Sequence, residues 1–341
     1  MLGHLANWFF RVIAAQYGRA ATFFRQLLDR LGRTTLFASW PLANWPLTKS
    51  APPRSHVCPR KLKYHRRPGP WRRSLLPALP DQAFAIPTTV PHGEVYYLSK
   101  GEFVGAGATS FVDRLPSGDI IKYPKPNPYC PEKENVCRQQ MQTEAEAYRR
   151  IGNSARVPKL MAWDASACSL VLQHLANGNL QSYLERHGET VTSDQRRLWI
   201  RHAAEALAAV HSASIIHCDV TPRNFMLDRA LDLYIADFAG SSVSGSPATI
   251  TTSPRFQRPG WRWEPAYADD LFALGSVLYY IETGSEPYPD TREEEVQARF
   301  KAADFPDVSA LSCGSIIHRC WAGTWDNAQQ ITVSAPEPGY S

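Results

Sequence analysis

Between Val95 and Gln173 the chain alternates short apolar runs with turn-forming residues. Val95–Leu98, Phe103–Val104, Phe111–Leu115 and Ile120–Tyr123 are each bounded by Gly, Ser or Pro, most clearly at Leu115-Pro116-Ser117-Gly118-Asp119. This pattern predicts strands joined by tight turns. A helix over Glu134–Ile151 follows, then two more short strands, Lys159–Trp163 and Ser169–Gln173. After Gly178 helices dominate. Thr192-Ser193-Asp194-Gln195 has the form of a capping box and predicts a helix to about His211; Thr291-Arg292-Glu293-Glu294 predicts another through Phe300. Strands first and helices later imply an α+β protein of two lobes, a β-rich lobe with its connecting hinge over residues 92–176 and a mostly helical one over 177–341.

The N-terminal quarter has a different texture. Around a helix at about 100° per residue, Arg11, Arg19, Arg25, Arg30 and Arg33 share one arc of roughly 140°, and Phe10, Ile13, Tyr17, Phe24, Leu27, Leu28 and Leu31 gather opposite. Residues 1–39 therefore read as a basic amphipathic helix, ending near Gly32. The arginines interrupt every apolar run before it is long enough to span a bilayer. Such a helix suits an organelle transit peptide, mitochondrial for residues 1–33, or a weak membrane-surface contact; docking on the protein itself is the plainer use. Cytoplasmic location is the default expectation. Residues 40–91, with many prolines among scattered Arg and Lys, have the composition of a disordered linker.

Charge sharpens this division. Residues 1–80 hold 14 Lys and Arg against one acid, Asp29, while the remaining 23 basic and 31 acidic residues leave the rest at −8. Basicity belongs to the extension, so a nucleic-acid-binding core is not expected. Seven cysteines without a CxxC pair argue against a disulfide framework or a zinc cluster and for a reducing compartment. At 341 residues and 44% hydrophobic, the chain can bury a sizeable core.

Candidate chemistry is concentrated after residue 100. Gly105-Ala106-Gly107-Ala108-Thr109-Ser110 is a small-residue loop between two strands; its glycines would permit positive φ and a close approach of backbone N–H groups to phosphates. It lacks the GK[ST] of a Walker loop, and alone it would pass for an ordinary hairpin. Lys122 ends an apolar strand, and Glu144 lies downstream in a helical segment. A lysine facing phosphates needs a carboxylate from another element to hold it, and Glu146 points elsewhere on the helix. In Ile215-Ile216-His217-Cys218-Asp219-Val220-Thr221-Pro222-Arg223-Asn224, Asp219 could accept a hydroxyl proton and Asn224 could offer its carboxamide oxygen to a divalent cation. Asp237, at the end of the apolar run Leu233–Ala236, suits a second hard-cation ligand.

In this order the motifs GAGATSFV, DIIK, Glu144, HCDVTPRN and DFA resemble those of the protein kinase family. The likeness covers about residues 95–330. IADFAGSS, DDLFALGSVLYYIETGSEPY and IIHRCWAG resemble protein kinases numerous in filamentous fungi. The resemblance implies a two-lobed protein kinase-like fold that uses ATP and Mg2+ and phosphorylates a protein hydroxyl, Ser or Thr by family frequency. It implies that Lys122 contacts the α- and β-phosphates and pairs with Glu144, that Asp219 is the catalytic base, and that Asn224 and Asp237 hold magnesium. Gly105 and Gly107 would cover the phosphates. Leu172 would be the gatekeeper, Gln173 to Leu175 the hinge, and Val112 and Met226 would sandwich adenine. Tyr148, His217, Phe238 and Asp270 occupy the positions that align the lobes.

Several positions depart from the family pattern. Cys218 replaces the arginine that docks a phosphorylated activation loop, so activity is expected not to depend on phosphorylation between residues 241 and 253. A quiet Cys218 is expected in preference to a redox sensor. Thr221 stands where Ser/Thr kinases commonly have lysine, Ala239 replaces the DFG glycine, Ile120 stands against adenine, and Ser253-Pro254-Arg255-Phe256-Gln257-Arg258-Pro259-Gly260 occupies the neighbourhood of the APE motif. Two alternatives stay open on these residues: a pseudokinase that binds ATP or a partner without turnover, and a phosphotransferase acting on a small molecule. Glu293, Glu294 and Glu295 could face a basic substrate, although acids in a first helical turn usually complement the dipole.

Overall fold

A computed structural model describes residues 58–59, 61–73 and 75–335. The chain divides into two units, Met1–Ser55 and His56–Ser341, and every described residue belongs to the second. The basic helix expected over residues 1–39 and all the prolines before residue 58 lie outside the described residues.

The short alternating runs form the sheet they predict. Strands β3 (Glu102–Ala106), β4 (Ser110–Arg114), β5 (Ile120–Pro124), β6 (Leu160–Asp164) and β7 (Ser169–Leu172) make an antiparallel sheet in the order β3-β4-β5-β7-β6. Lys122 lies opposite Val112 on one side and Leu170 on the other. That register places the lysine on the central strand of the sheet, with strands β4 and β7 fixing it from both edges. Helix α1 (Pro131–Ile151) packs against this sheet with Met141, Glu144, Ala145 and Tyr148 buried at the i, i+3, i+4, i+7 spacing of one helical face, and Ala147 buried beside them. It starts three residues earlier than the sequence suggests, because Pro131 is tolerated in the first turn, where its missing N–H removes no helical bond.

Residues 61–91 depart from the linker expected of them. Strand β1 (Lys63–Arg67) pairs in parallel with β2 (Glu94–Leu98), from Lys63 opposite Glu94 to Arg67 opposite Leu98. Two single-turn 3-10 segments, Pro70–Arg72 and Asp81–Phe84, follow β1, and Phe84 is buried. Tyr64 stands edge-on to Phe111 at 5.3 Å between ring centres, and joins Tyr97, Ile121 and Tyr123 in the core of the β-rich lobe. The lobe therefore begins well before residue 92.

The larger lobe is built around α4 (Tyr267–Thr283), apolar on nearly all sides, as a helix enclosed by others must be. Helices α2 (Leu180–His187), α3 (Ser193–Ser212), α5 (Glu293–Lys301), α6 (Gly314–Trp321) and α7 (Ala328–Ser334) complete it. Gly275 lets α6 approach: a Cβ there would come within 2.6 Å of the Cys320 side chain. Thr192 caps α3 as predicted, its hydroxyl accepting from Gln195 N–H at 3.2 Å, although the Gln195 side chain reaches Leu231 O and so does not close the box. Helix α5 starts at Glu293 without a side-chain cap. Short strands β8 (Gly178–Asn179), β9 (Ile215–Ile216), β10 (Phe225–Leu227), β11 (Leu233–Ile235) and β12 (Ser242–Val243) present the chemistry-bearing loops. No helix among the described residues is long and apolar enough to cross a membrane.

Candidate active site

Between the lobes lies a cleft of about 360 Å³. Gly107, Val112, Ile120, Lys122 and Glu144 come from the β-rich lobe, Leu172, Gln173 and Leu175 from the crossover, and Asn224, Met226 and Asp237 from the helical lobe. From Gly107 to Asp237, residues 130 positions apart in sequence thus share one wall-to-wall space.

Lys122, 9% exposed, is the centre of the charge arrangement. Its Nζ lies 2.6 Å from Asp237 Oδ1 and 2.7 Å from Glu144 Oε2. Burial alone would drive the ammonium toward its neutral form; Asp237, and then Glu144, outweigh that and raise its pKa. Glu144, 1% exposed, is pushed up to about 7 by burial, with Lys122 opposing and Asp237 reinforcing. Asp237 is held below its usual range, chiefly by Lys122, although half of its side-chain surface reaches solvent. Glu146 faces outward and pairs with Arg150, as the helical spacing requires.

The loop after β9 holds Asp219 and Asn224 together. Asn224 Nδ2 donates to Asp219 O at 2.7 Å and to Asp219 Oδ2 at 2.8 Å. Both partners are acceptors only, so the carboxamide nitrogen must face them and its oxygen is left for a cation. Burial pushes the Asp219 carboxyl up, while His217 and Asn224 work against that shift. Asp237 takes φ +69°, a left-handed conformation uncommon for a residue with a Cβ, and Cys218 takes +66°. Two such residues in one site are characteristic of a functional turn held by its surroundings.

Those surroundings are visible. Asp270, buried in α4, accepts from the backbone N–H of His217 at 2.6 Å and of Cys218 at 2.9 Å. His217 Nδ1 accepts from Asp219 N–H at 3.3 Å, so its Nε2, 3.1 Å from Ala236 O, carries the proton. The Phe238 ring stands 5.0 Å from Tyr148 and 5.1 Å from His217. This stack runs from α1 through the Asp237 turn to the Asp219 loop, and α4 anchors its base.

A match to the protein kinase domain model extends over residues 102–328, well over half of the chain. The chain belongs to the protein kinase family. Its mixed β-rich and helical lobes are the two-lobed kinase fold, and its family makes it a phosphotransferase by descent.

Within that kinase frame some expectations change. Neither Gly105 nor Gly107 has positive φ, and a Cβ at Gly105 would meet nothing within 4 Å. Gly105 lies within β3, and a Cβ at Gly107, which lines the cleft, would make only ordinary contact with Ser110 Oγ at 3.6 Å, so neither glycine is needed for an unusual backbone. Room is tight at Gly240, where a Cβ would fall 2.0 Å from Ile250 Cγ2. Cys218 is buried, and burial, then Asp270, pushes its thiol up to about 12.

Two arginines were not singled out by sequence reasoning. Arg223, exposed, lines the cleft beside Asn224 and has no ion-pair partner among the described residues. Its place two residues after Thr221 was the available signal. Arg255 donates to the carbonyls of Tyr288, Pro289 and Thr291 and lies 3.7 Å from Glu286 and 3.8 Å from Glu293. It anchors the segment in the APE neighbourhood with the charge reversed, and it uses Glu293 internally. Glu295 pairs with Arg299.

Magnesium fits the donor set. Asn224 and Asp237 offer hard oxygen ligands, and Asp237 keeps one carboxylate oxygen free of Lys122. No group of three or more His, Cys, Asp or Glu among the described residues forms a ready metal cage. Magnesium bound by one or two protein oxygens, phosphates and water needs none.

Proposed function

We propose that this kinase transfers the γ-phosphoryl group of ATP to a Ser or Thr hydroxyl of a protein substrate, with Mg2+. One observation carries the reading: Lys122 sits between Glu144 and Asp237 in the same cleft that Asn224 lines from the other lobe. Asp219, held by Asn224, takes the proton of the attacking hydroxyl. The new bond forms between that oxygen and the γ-phosphorus, the bond to the β,γ-bridging oxygen breaks, and ADP leaves with the electron pair. Lys122 orients the α- and β-phosphates, and Asn224 and Asp237 hold the metal, which supplies charge neutralisation when bound. Val112 and Met226 flank adenine, and the backbone from Gln173 to Leu175 meets its edge.

Independence from activation-loop phosphorylation follows from Cys218, which offers no cation, and from the loop's own bonds. Ser241 Oγ donates to His217 O at 3.1 Å, Thr249 N–H to Gly240 O at 3.1 Å, and Gln257 Nε2 to Thr251 Oγ1 at 2.6 Å. The three stretches running from Ile235, Asp269 and Ile316 support a place among the kinases numerous in filamentous fungi. The Arg-rich face of residues 1–33 supports a membrane-surface or mitochondrial contact, which imaging of the fluorescently tagged full chain checks.

The test is transfer of labelled phosphate from ATP to a generic protein substrate by unphosphorylated full-length protein. Magnesium-dependent transfer is expected, reduced about a hundredfold or more by Asp219→Asn and by Lys122→Met. Nucleotide binding without transfer would favour a pseudokinase, and transfer to amino alcohols alone a small-molecule phosphotransferase.

A further inference from the structure

The arm of residues 61–71 meets the β-rich lobe at a buried acid. Asp113, on β4 beside Val112, is 0% exposed. Its carboxylate accepts from Arg66 Nη2 at 3.0 Å, Lys100 N–H at 2.8 Å, Gly101 N–H at 3.1 Å and Tyr123 OH at 2.8 Å. Arg66 is the one cation in this set, and it comes from outside the matched family domain. The same guanidinium donates to Gly101 O and stacks over the Phe103 ring at 5.4 Å. Gly101 and Phe103 flank the start of β3, and Phe103 lies opposite Asp113 in the β3-β4 pairing. One side chain of the arm therefore holds both strands of the hairpin that carries Gly105 and Gly107.

Other contacts place the arm around this hairpin. Tyr64 packs on Phe111, the residue before Val112, and donates to Pro126 O at 3.1 Å. Gly69 N–H donates to Ser99 Oγ at 3.0 Å and Trp71 Nε1 to Ser99 O at 3.1 Å. Ser99 precedes the Lys100 and Gly101 amides that bind Asp113. Toward the tip the hairpin has far less support: Val104 is about half exposed, and β3 shifts register between Phe103 and Gly105. An edge strand with few buried contacts opens readily unless something fixes its base.

We infer that residues 61–71 are a positioning element for the phosphate-facing hairpin, with Arg66, bound to buried Asp113, as its principal tie. Arg66 touches no substrate; it acts by fixing the strands that do. The consequence for nucleotide binding rests on the kinase reading above, while the coupling of arm to hairpin does not. A hairpin ordered before nucleotide arrives loses less freedom on binding, so loss of the tie raises KM for ATP and leaves kcat nearly unchanged.

The experiment uses full-length protein with Arg66→Met, and Arg73→Met as control, since Arg73 pairs with Asp81 at the surface. Amide hydrogen exchange is measured without nucleotide, and KM and kcat with it. Arg66→Met is expected to speed exchange over 102–110 and to raise KM for ATP about tenfold with kcat within about twofold. Exchange in α4, and all values for the control, stay unchanged. Unaltered exchange over 102–110 in folded Arg66→Met overturns the inference whatever the activity. Faster exchange without any ATP turnover in either protein upholds the tie and refutes the kinase reading instead. If Arg66→Met does not fold, Arg66→Lys, which keeps charge but not the fork, is measured in the same way. Should both fail to fold, the arm serves the whole lobe and the hairpin-specific role is wrong.

Discussion

At Cys218 the backbone takes φ +66°, and the thiol, buried against Ile216 O at 3.3 Å, is pushed up to about 12. A thiol in that state is neither accessible nor ionised near neutral pH, whereas Cys58, Cys130 and Cys137 are partly exposed. Brief alkylation of the native protein at pH 8, followed by peptide mass mapping, is expected to label one or more of those three and to leave Cys218 unmodified. Labelling of Cys218 at the rate of Cys130 would restore the redox-sensor reading. His202 makes a second prediction at this scale. Its ring is buried, Nδ1 accepts from Leu233 N–H at 3.2 Å, and burial, then Arg156, lowers its pKa to about 4. Because the folded pKa lies below the unfolded one, the stabilisation is present above about pH 6.5 and is lost as pH falls through about 4. The full loss is about 3 kcal/mol. His202→Gln should flatten the fall in urea stability between pH 7 and 5; an unchanged slope would mean the histidine charges freely in the fold.

At the scale of elements, what could be read in advance was whatever a single segment encodes. The strands β2 to β7 announce themselves by β-branched and aromatic runs, and Lys122, Asp219, Asn224 and Asp237 by chemical type and spacing. Strand β1 was not legible: Lys63-Tyr64-His65-Arg66-Arg67 has no apolar alternation, and it is a strand because β2 and the Asp113 network receive it. The turn between β3 and β4 is shorter than the glycine-rich stretch suggests, since Gly105 and Ala106 belong to β3, and neither Gly105 nor Gly107 takes positive φ. Arg255 was missed because its partners, the carbonyls between α4 and α5, become neighbours only after folding. It makes several charge-assisted bonds from a largely buried position, so Arg255→Ala should release its segment. Amide exchange over 253–259 is expected to rise about tenfold or more, with α4 unchanged. Arg223, exposed beside Asn224 with no ion-pair partner among the described residues, should act differently. On the proposed reading it adds positive charge near the transferred phosphoryl group, and Arg223→Ala lowers kcat about tenfold without lowering the melting temperature. A change in stability alone would assign it to the fold.

Taken as a whole, the molecule places its boundary where chemistry and packing disagree. The matched family domain starts at residue 102, yet the charge that compensates buried Asp113 is supplied by Arg66, and β2 finds its partner in β1. A chain cut at residue 92 would keep every group proposed for phosphoryl transfer. It would also bury a carboxylate without its cation and expose the faces of Tyr97 and Phe111 that Tyr64 covers. Removing one partner of a buried ion pair costs about 3–5 kcal/mol. For a domain of this size each kcal/mol shifts the melting midpoint by about 2–4 °C, so residues 92–341 should melt roughly 6–20 °C below residues 58–341. Asp113→Asn in the shorter chain removes the stranded charge while keeping an acceptor for the Lys100 or Gly101 amide, and should recover part of the loss. In the longer chain the same substitution should destabilise, because Arg66 would lose its partner. That reversal of sign separates electrostatic compensation from the general benefit of a longer chain, which would give Asp113→Asn the same direction in both.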